Sequence, residues 1–386
     1  MTRYLLRAGQ GNSLLRRNGS WMAATYLNIR NLLPVLSVTL LLMSGCQHPI
    51  PVMGHFQGAA NVAAQADVRG EMSIKLPTAS DPGPLVASVI WPARGSDLAP
   101  RLAVIDVDGV LLNQNREGIY DSGENPVAAF REKLAAATAD SRVAAIVLRI
   151  HSPGGGVTAC DILAEELDRF KAATRRPVVA CLMDVATSGA YYLALGADRI
   201  VAHPTSLTGG IGVVFNHVNL QDAMAQLNVS DDPIKAGTLI DMGSVTKPLE
   251  PQTRELLQEM ADGFRQRFLD RVTRRRPELT DADRRTLADG RVVAASRALK
   301  LHLVDRLGYI EDALGEAEHL AGVSDAEVVL YNRGGSPARS LYAIAPSPPR
   351  LSEAIPFSYP GLDRTKLPTF LYLWQPDPTL PRTSPR

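Results

Sequence analysis

The chain has little of several things that would narrow its class at once. Only three cysteines occur in 386 residues, Cys46, Cys160 and Cys181, and their spacing matches neither a zinc site nor a Cys-x-x-Cys redox pair. No metal is expected, and Cys160 and Cys181 read as small buried hydrophobes. Charge of one sign is not in excess: 41 basic residues stand against 40 acidic ones, so nothing points to nucleic acid as a partner. The most apolar stretch, Leu32 to Met43, falls short of the roughly 20 residues that a membrane-spanning helix needs. There is no phosphate-loop lysine and no dinucleotide fingerprint, which disfavours a nucleotide cofactor. No cofactor of any kind is called for, and no internal repeat is evident.

What is present is an ordinary core-forming composition, 45% hydrophobic and 21% charged, in a chain longer than the roughly 100 to 200 residues usual for one domain. Arg16, Arg17 and Arg30 precede the Leu32 to Met43 run, the order of a signal peptide. The run ends in Leu42-Met43-Ser44-Gly45-Cys46, which resembles the lipobox of bacterial lipoproteins. That resemblance implies cleavage before Cys46, lipid on its sulfur, and an exported protein anchored in the cell envelope or facing the periplasm. A start at Met22 would give the leader an ordinary length, and a plain export signal with an incidental cysteine is the other reading. Each buried methylene of such an anchor adds about 0.8 kcal/mol, so two or three acyl chains hold a protein on a membrane.

Residues 1–45 are therefore read as a signal peptide and 46–100 as a tether and lead-in without sustained periodicity. Residues 101–333 form the main expected domain, and 334–386 a proline-rich extension. Phe370, Tyr372 and Trp374 in that extension suggest that part of it docks on something. Within the central segment, Leu102 to Val107, Ala144 to Ile150, Pro177 to Leu182 and Asp198 to Ala202 read as strands. Helices are expected over Pro126 to Ala137, capped by Asn125, and from Thr158 with Ile162, Leu163, Leu167 and Phe170 in one stripe. Another short helix runs from Ser188 to Leu195. Glu255 to Arg275 reads as a long amphipathic helix through Leu256, Leu257, Met260, Phe264 and Phe268, ending in a basic run, Arg271 to Arg276, taken as a solvated face. Strands alternating with helices across short connections predict an α/β fold with a mostly parallel sheet covered by helices.

Two segments carry the chemistry. Ser152-Pro153-Gly154-Gly155-Gly156 follows a strand and precedes a helix, where amides can turn toward an anion or a developing oxyanion. A tight strand-to-helix turn is the plainer reading of the same glycines. Ala186-Thr187-Ser188-Gly189-Ala190-Tyr191-Tyr192 places a serine among small residues between strand and helix, as a nucleophile or as a helix cap.

These two segments, followed by Leu207-Thr208-Gly209-Gly210-Ile211-Gly212-Val213 and Ile234-Lys235-Ala236-Gly237, resemble the signal peptide peptidase A family, in the family's order from about Leu102 to Ala321. The resemblance implies a Clp-protease/crotonase-like spiral of ββα units and a serine endopeptidase. It makes Ser188 the nucleophile and Lys235 the general base, with amides of Gly154 or Gly155 and of Gly189 as the oxyanion hole. Tyr191, Tyr192, Gly209, Gly210 and Ile211 become candidate substrate linings. Polypeptides are the implied substrates, signal peptides or membrane-associated chains among them. A single copy of the motif set is similar to half-length members that assemble into rings, where one subunit's serine meets its neighbour's lysine, so a homo-oligomer is expected.

Elementary chemistry sets the conditions. A serine hydroxyl needs a base during attack, and a lysine of pKa about 10.4 is protonated at neutral pH. Burial must lower that value for Lys235 to serve; Lys247 is the other lysine nearby, in a loop beside Pro248. A histidine is the rival base, with His203 and His217 nearest in sequence, and His151 borders the glycine loop. The family often carries a second lysine and an aspartate after its Ile-Lys-x-Gly motif. Here Ile240 takes the lysine's place and Asp241 keeps the acid. Two other functions stay open from sequence alone: a crotonase-like acyl-coenzyme A enzyme, and an inactive lipoprotein scaffold of the same fold.

Overall fold

Short β-branched and alanine-rich runs, apolar on both faces, build the centre of the molecule. The computed structural model describes residues 84–95, 98–114, 124–333, 341 and 370–374, all within the unit Ile74–Arg386. The segment read as a signal peptide, Cys46 and most of the two tails lie outside the described residues.

In chain order the first elements are β1 (Leu85–Trp91), β2 (Arg101–Asp108), α1 (Pro126–Ala139), β3 (Val143–Ser152), β4 (Gly154–Gly156), α2 (Val157–Thr174), β5 (Val178–Thr187) and α3 (Gly189–Ala194). Then follow β6 (Arg199–Ala202), β7 (Leu207–Gly209), β8 (Val214–Phe215), α4 (Gln221–Gln226) and α5 (Pro251–Arg275). The remainder is α6 (Asp281–Leu287), β9 (Val292–Ala294), α7 (Ala295–Lys300), β10 (Arg306–Leu307), α8 (Ile310–Ala321), β11 (Glu327–Arg333) and β12 (Phe370–Leu373).

The main sheet runs β1-β11-β2-β3-β5-β6-β10, with β7 added to the far end of β5 and β9 to β7. Every pair from β11 to β10, and the β5–β7 pair, is parallel; β1–β11 and β7–β9 are antiparallel. The α/β reading is borne out. Alternation along each strand divides the core in two. Ala103, Ile105, Ile146 and Leu148 face a cluster with α1, α2 and α3, while Leu102, Val104, Ala145 and Val147 face Ile310, Ala313, Leu314 and Ala317 of α8.

The expected cap at α1 is present: Asn125 Oδ1 accepts from the amides of Val127 and Ala128, and Pro126 opens the helix. Cys160 and Cys181 are free and buried, and burial pushes the Cys181 thiol up to about 12.

Three expectations change. Leu85–Trp91 lies in the stretch read as lacking periodicity, yet forms an edge strand paired to β11; half its residues are exposed, so its apolar pattern is diluted. The stripe on α5 is shorter than expected, because Met260 is exposed and only Phe264, Phe268, Leu269 and Val272 join the main core. The basic run is a solvated face only at Arg274 and Arg275. Arg271 and Arg276 are each only 8% exposed; Arg271 pairs with Asp168 at 2.9 Å and lies 5.0 Å over the Tyr192 ring, and Arg276 pairs with Asp305 at 2.8 Å. Carboxylates from distant elements pair with them, which local charge counting could not reveal, although Arg271 Nη2 and Arg276 Nε keep no hydrogen-bond partner among the described residues.

Candidate active site

Strand β5 is buried along most of its length and stops at Thr187, and helix α3 starts at Gly189. Ser188 between them has φ 54° and ψ −118° and is 2% exposed. A side-chain-bearing residue at positive φ costs about 1–3 kcal/mol and persists only where its surroundings hold it. Here the Ser188 amide donates to the Gly209 carbonyl at 2.7 Å, and its carbonyl accepts from the Tyr192 amide at 2.9 Å. Thr208 Oγ1 ties β7 to the Ala186 carbonyl at 2.7 Å. Gly210, at φ +68°, lies so close that a Cβ there would sit 3.2 Å from the Ser188 nitrogen. The result is a sharp strand-to-helix turn that pushes the serine out of regular structure and beside the first amides of a helix, as a nucleophile requires. The helix-cap reading fails, since the Ser188 side chain accepts no capping hydrogen bond.

The glycine loop is squeezed from two sides. Ser152 Oγ donates to the Gly109 carbonyl at 2.6 Å and accepts from the Gly154 amide at 3.1 Å. Leu111 and the loop exchange two backbone bonds of 2.9 Å, Leu111 N to Gly154 O and Gly156 N to Leu111 O. A Cβ on Gly155 would meet the Leu111 oxygen at 1.9 Å. One on Gly154 would meet the Tyr372 oxygen at 2.0 Å and the Gly189 nitrogen at 2.8 Å. Gly154 and Gly189 are thus neighbours across the site, and Gly189, the first helical residue, has an amide without an intrahelical acceptor. A Cβ on Gly189 would lie 2.2 Å from Cys160 Sγ, so α2 presses on α3 from below. Sequence reasoning met Ser152 and Thr208 only as members of motifs and Cys160 only as a buried hydrophobe, and their roles arise only once the elements meet.

Lys235 lies in an exposed segment, with Ile234 fully exposed and Ile240 largely so. Its Nζ donates to Asp241 Oδ2 at 2.8 Å, and Lys247 Nζ approaches Oδ1 of the same carboxylate at 2.8 Å. The hydrogen bond to Asp241 holds the Lys235 ammonium above its ordinary range, and the two lysines hold the Asp241 carboxyl down at about 2. Within one chain Lys235 is bonded to Asp241 instead of Ser188. The histidines are engaged elsewhere: His203 Nδ1 with Thr205 Oγ1 at 2.8 Å, His217 Nε2 with the Ser244 carbonyl at 2.9 Å, and His151 3.9 Å from Asp184.

The two tyrosines take different parts. Tyr191 is wholly buried and donates to the Leu303 carbonyl at 2.8 Å, a core residue more than a lining. Tyr192 donates to Asp161 at 2.7 Å and stacks edge-on to Phe268. Gly209 and Gly210 adjoin Ser188 as described, and Ile211 is buried behind them.

Comparison with known proteins follows this geometry. The model described as Peptidase family S49 matches residues 171–324, a span holding both Ser188 and Lys235. The protease-named slr0021 of Synechocystis is 31% identical over 242 residues, 63% of this chain and 82% of that protein. The protease-named MJ0651 of Methanocaldococcus jannaschii is 33% identical over 215 residues, 56% of this chain and 68% of that protein. The chain belongs to peptidase family S49. Protease 4 of Salmonella typhi, 32% identical over 240 residues, extends well beyond the match, which covers 61% of this chain and 37% of that protein. The resemblance to signal peptide peptidase A is thereby borne out, and so is a serine peptidase.

Proposed function

We propose that this S49 peptidase hydrolyses polypeptides through an acyl-enzyme on Ser188, with Lys235 of a neighbouring copy as general base. The strained turn at Ser188, packed against Gly210 and adjoining Gly154, carries the reading. Attack of Oγ on a peptide carbonyl carbon passes the hydroxyl proton to the lysine amine. The resulting oxyanion accepts from the Gly189 amide and from an amide of the Gly154–Gly155 loop. The lysine returns the proton to the leaving amine, and water then releases the acyl group from Ser188.

The placement of Lys235 supports a base supplied between copies. Its segment exposes Leu227, Val229, Ile234 and Ile240, an apolar set that an assembled homo-oligomer would bury. Burial beside Ser188 of the next copy would separate Lys235 from water and lower its pKa toward the working range. Remnant signal peptides and membrane-associated polypeptides are the proposed substrates, brought near by export and by a lipid on Cys46. Among the described residues no helix is long and apolar enough to cross a membrane, and the proposed anchor lies outside them.

A fluorophosphonate probe with peptide mapping tests the assignment. Attachment at Ser188, with loss of both labelling and casein cleavage in Ser188→Ala, is expected. Attachment at a different serine would redirect it, and an unlabelled, inert protein would favour the scaffold.

A further inference from the structure

The space beside the glycine loop is filled by the chain itself. β12 pairs antiparallel with β4, Leu373 to Gly154, Tyr372 to Gly155 and Leu371 to Gly156, and on its other edge with β8, Phe370 to Phe215 and Leu371 to Val214. The Trp374 amide extends the ladder to the Pro153 carbonyl at 3.0 Å. Without this strand β4 and β8 present facing edges one strand apart, a channel that takes any extended polypeptide by main-chain hydrogen bonds.

The channel also reads side chains. Tyr372 is fully buried, its ring 5.4 Å from that of Tyr192 and 5.0 Å from that of Phe268. At the pocket's end its hydroxyl donates to the Phe264 carbonyl at 2.6 Å. Its carbonyl oxygen is the atom pressed against Gly154 and nearest, outside α2, to Gly189, the two glycines flanking Ser188. Phe370, on the same strand face, packs on Phe215 and Phe264 at 5.1 and 5.2 Å.

We propose that residues 370–374 occupy the channel in which a substrate polypeptide binds, and that the pocket formed by Tyr192, Phe268 and the Phe264 carbonyl selects a tyrosine at the residue whose carbonyl lies beside Gly154 and Gly189. The chain's own C-terminal strand then competes with substrate, and the site opens only when it leaves. A phenylalanine fills the same rings but forgoes the hydroxyl's bond to the Phe264 carbonyl, and a small side chain leaves the pocket empty. The proposal takes from the catalytic reading only the position of the reacting carbonyl.

The test is binding of a labelled peptide with the sequence of residues 366–376 to full-length Ser188→Ala protein, which removes turnover. Tyr372→Asp in the protein puts a charge into the aromatic pocket and expels the strand, so the peptide should bind at least tenfold more tightly than to the Tyr372 protein. Leu371→Pro, which removes a ladder donor and leaves the pocket residue in place, should do the same and guards against misfolding of the first variant. Equal affinity across all three proteins overturns the strap. An alanine in place of the tyrosine in the peptide should weaken binding at least tenfold; no change overturns the pocket. Peptide binding as expected with no probe attachment at Ser188 would sink the catalytic assignment alone. Attachment at Ser188 with unchanged peptide affinity would sink the strap alone.

Discussion

Lys235 Nζ lies 2.8 Å from Asp241 Oδ2, and the ion pair stabilises the protonation state that a general base must give up. The folded Asp241 carboxyl is depressed to about 2, so its share of the pairing is present above its unfolded pKa of about 3.9 and is lost as pH falls through about 2. The Lys235 ammonium is raised, so its share is present below about 10.4 and is lost as pH climbs through the higher folded value. The role proposed for Lys235 as general base needs the opposite, a neutral amine near pH 7.

Asp241→Asn removes the first cause of the raised lysine pKa. The acid limb of the kcat/KM profile should move to lower pH, read from peptide hydrolysis between pH 5 and 10. A limb that stays in place would mean that Asp241 is not the partner of Lys235 in the working particle.

Two of the loop glycines should separate by substitution. Gly155→Ala drives a Cβ to 1.9 Å from the backbone oxygen of Leu111, which cannot step aside, and should cost about 2 kcal/mol of unfolding free energy. A Cβ on Gly156 would meet nothing nearer than the Leu112 side chain at 3.7 Å, so Gly156→Ala should stay within about 0.5 kcal/mol. Denaturant titration of the two variants checks the contrast.

Cys160 and Gly189 should couple. Gly189→Ala places a Cβ 2.2 Å from Cys160 Sγ, disturbing α3 and with it the turn at Ser188. Removing the sulfur with Cys160→Ala should restore part of the lost activity, the nearest remaining Cys160 atom being its Cβ at 3.1 Å. The double variant is therefore expected to hydrolyse peptide faster than Gly189→Ala alone, a departure from additivity.

Arg271 joins α5 to α2 and α3 by its ion pair with Asp168 and its bond of 3.1 Å to the Tyr192 carbonyl. Arg271→Ala leaves that carbonyl and part of Asp168 unpaired and should destabilise the protein by about 2 kcal/mol, with Asp168's partial exposure keeping the loss below that of a fully buried pair. Thermal unfolding measures it.

The strands around Ile146 and Val179, the cap at Asn125 and the serine after β5 were legible because each rests on local pattern: apolar runs, a capping side chain before proline, small residues at a turn. The order of four motifs identified the family from residues alone. Other features depend on partners remote in sequence. Arg271 and Arg276 looked solvated until Asp168 and Asp305 met them. Two of the three glycines are required by Leu111 and Tyr372, separated from them by some tens or hundreds of residues. Phe370, Tyr372 and Trp374 hinted at docking, but nothing local could say that β4 and β8 receive the strand. Lys235 was readable as a candidate base by resemblance, while its pairing with Asp241 needed the fold of the loop.

Mixing two inactive proteins tests the shared site most directly. Ser188→Ala keeps the lysine and Lys235→Met keeps the serine, so co-expressed chains in a ring with head-to-tail contacts should regain about a quarter of wild-type peptide hydrolysis, the fraction of interfaces where an intact serine meets an intact lysine. Mixed particles as inactive as either parent, in the presence of verified co-assembly, would contradict a base supplied by the neighbouring copy.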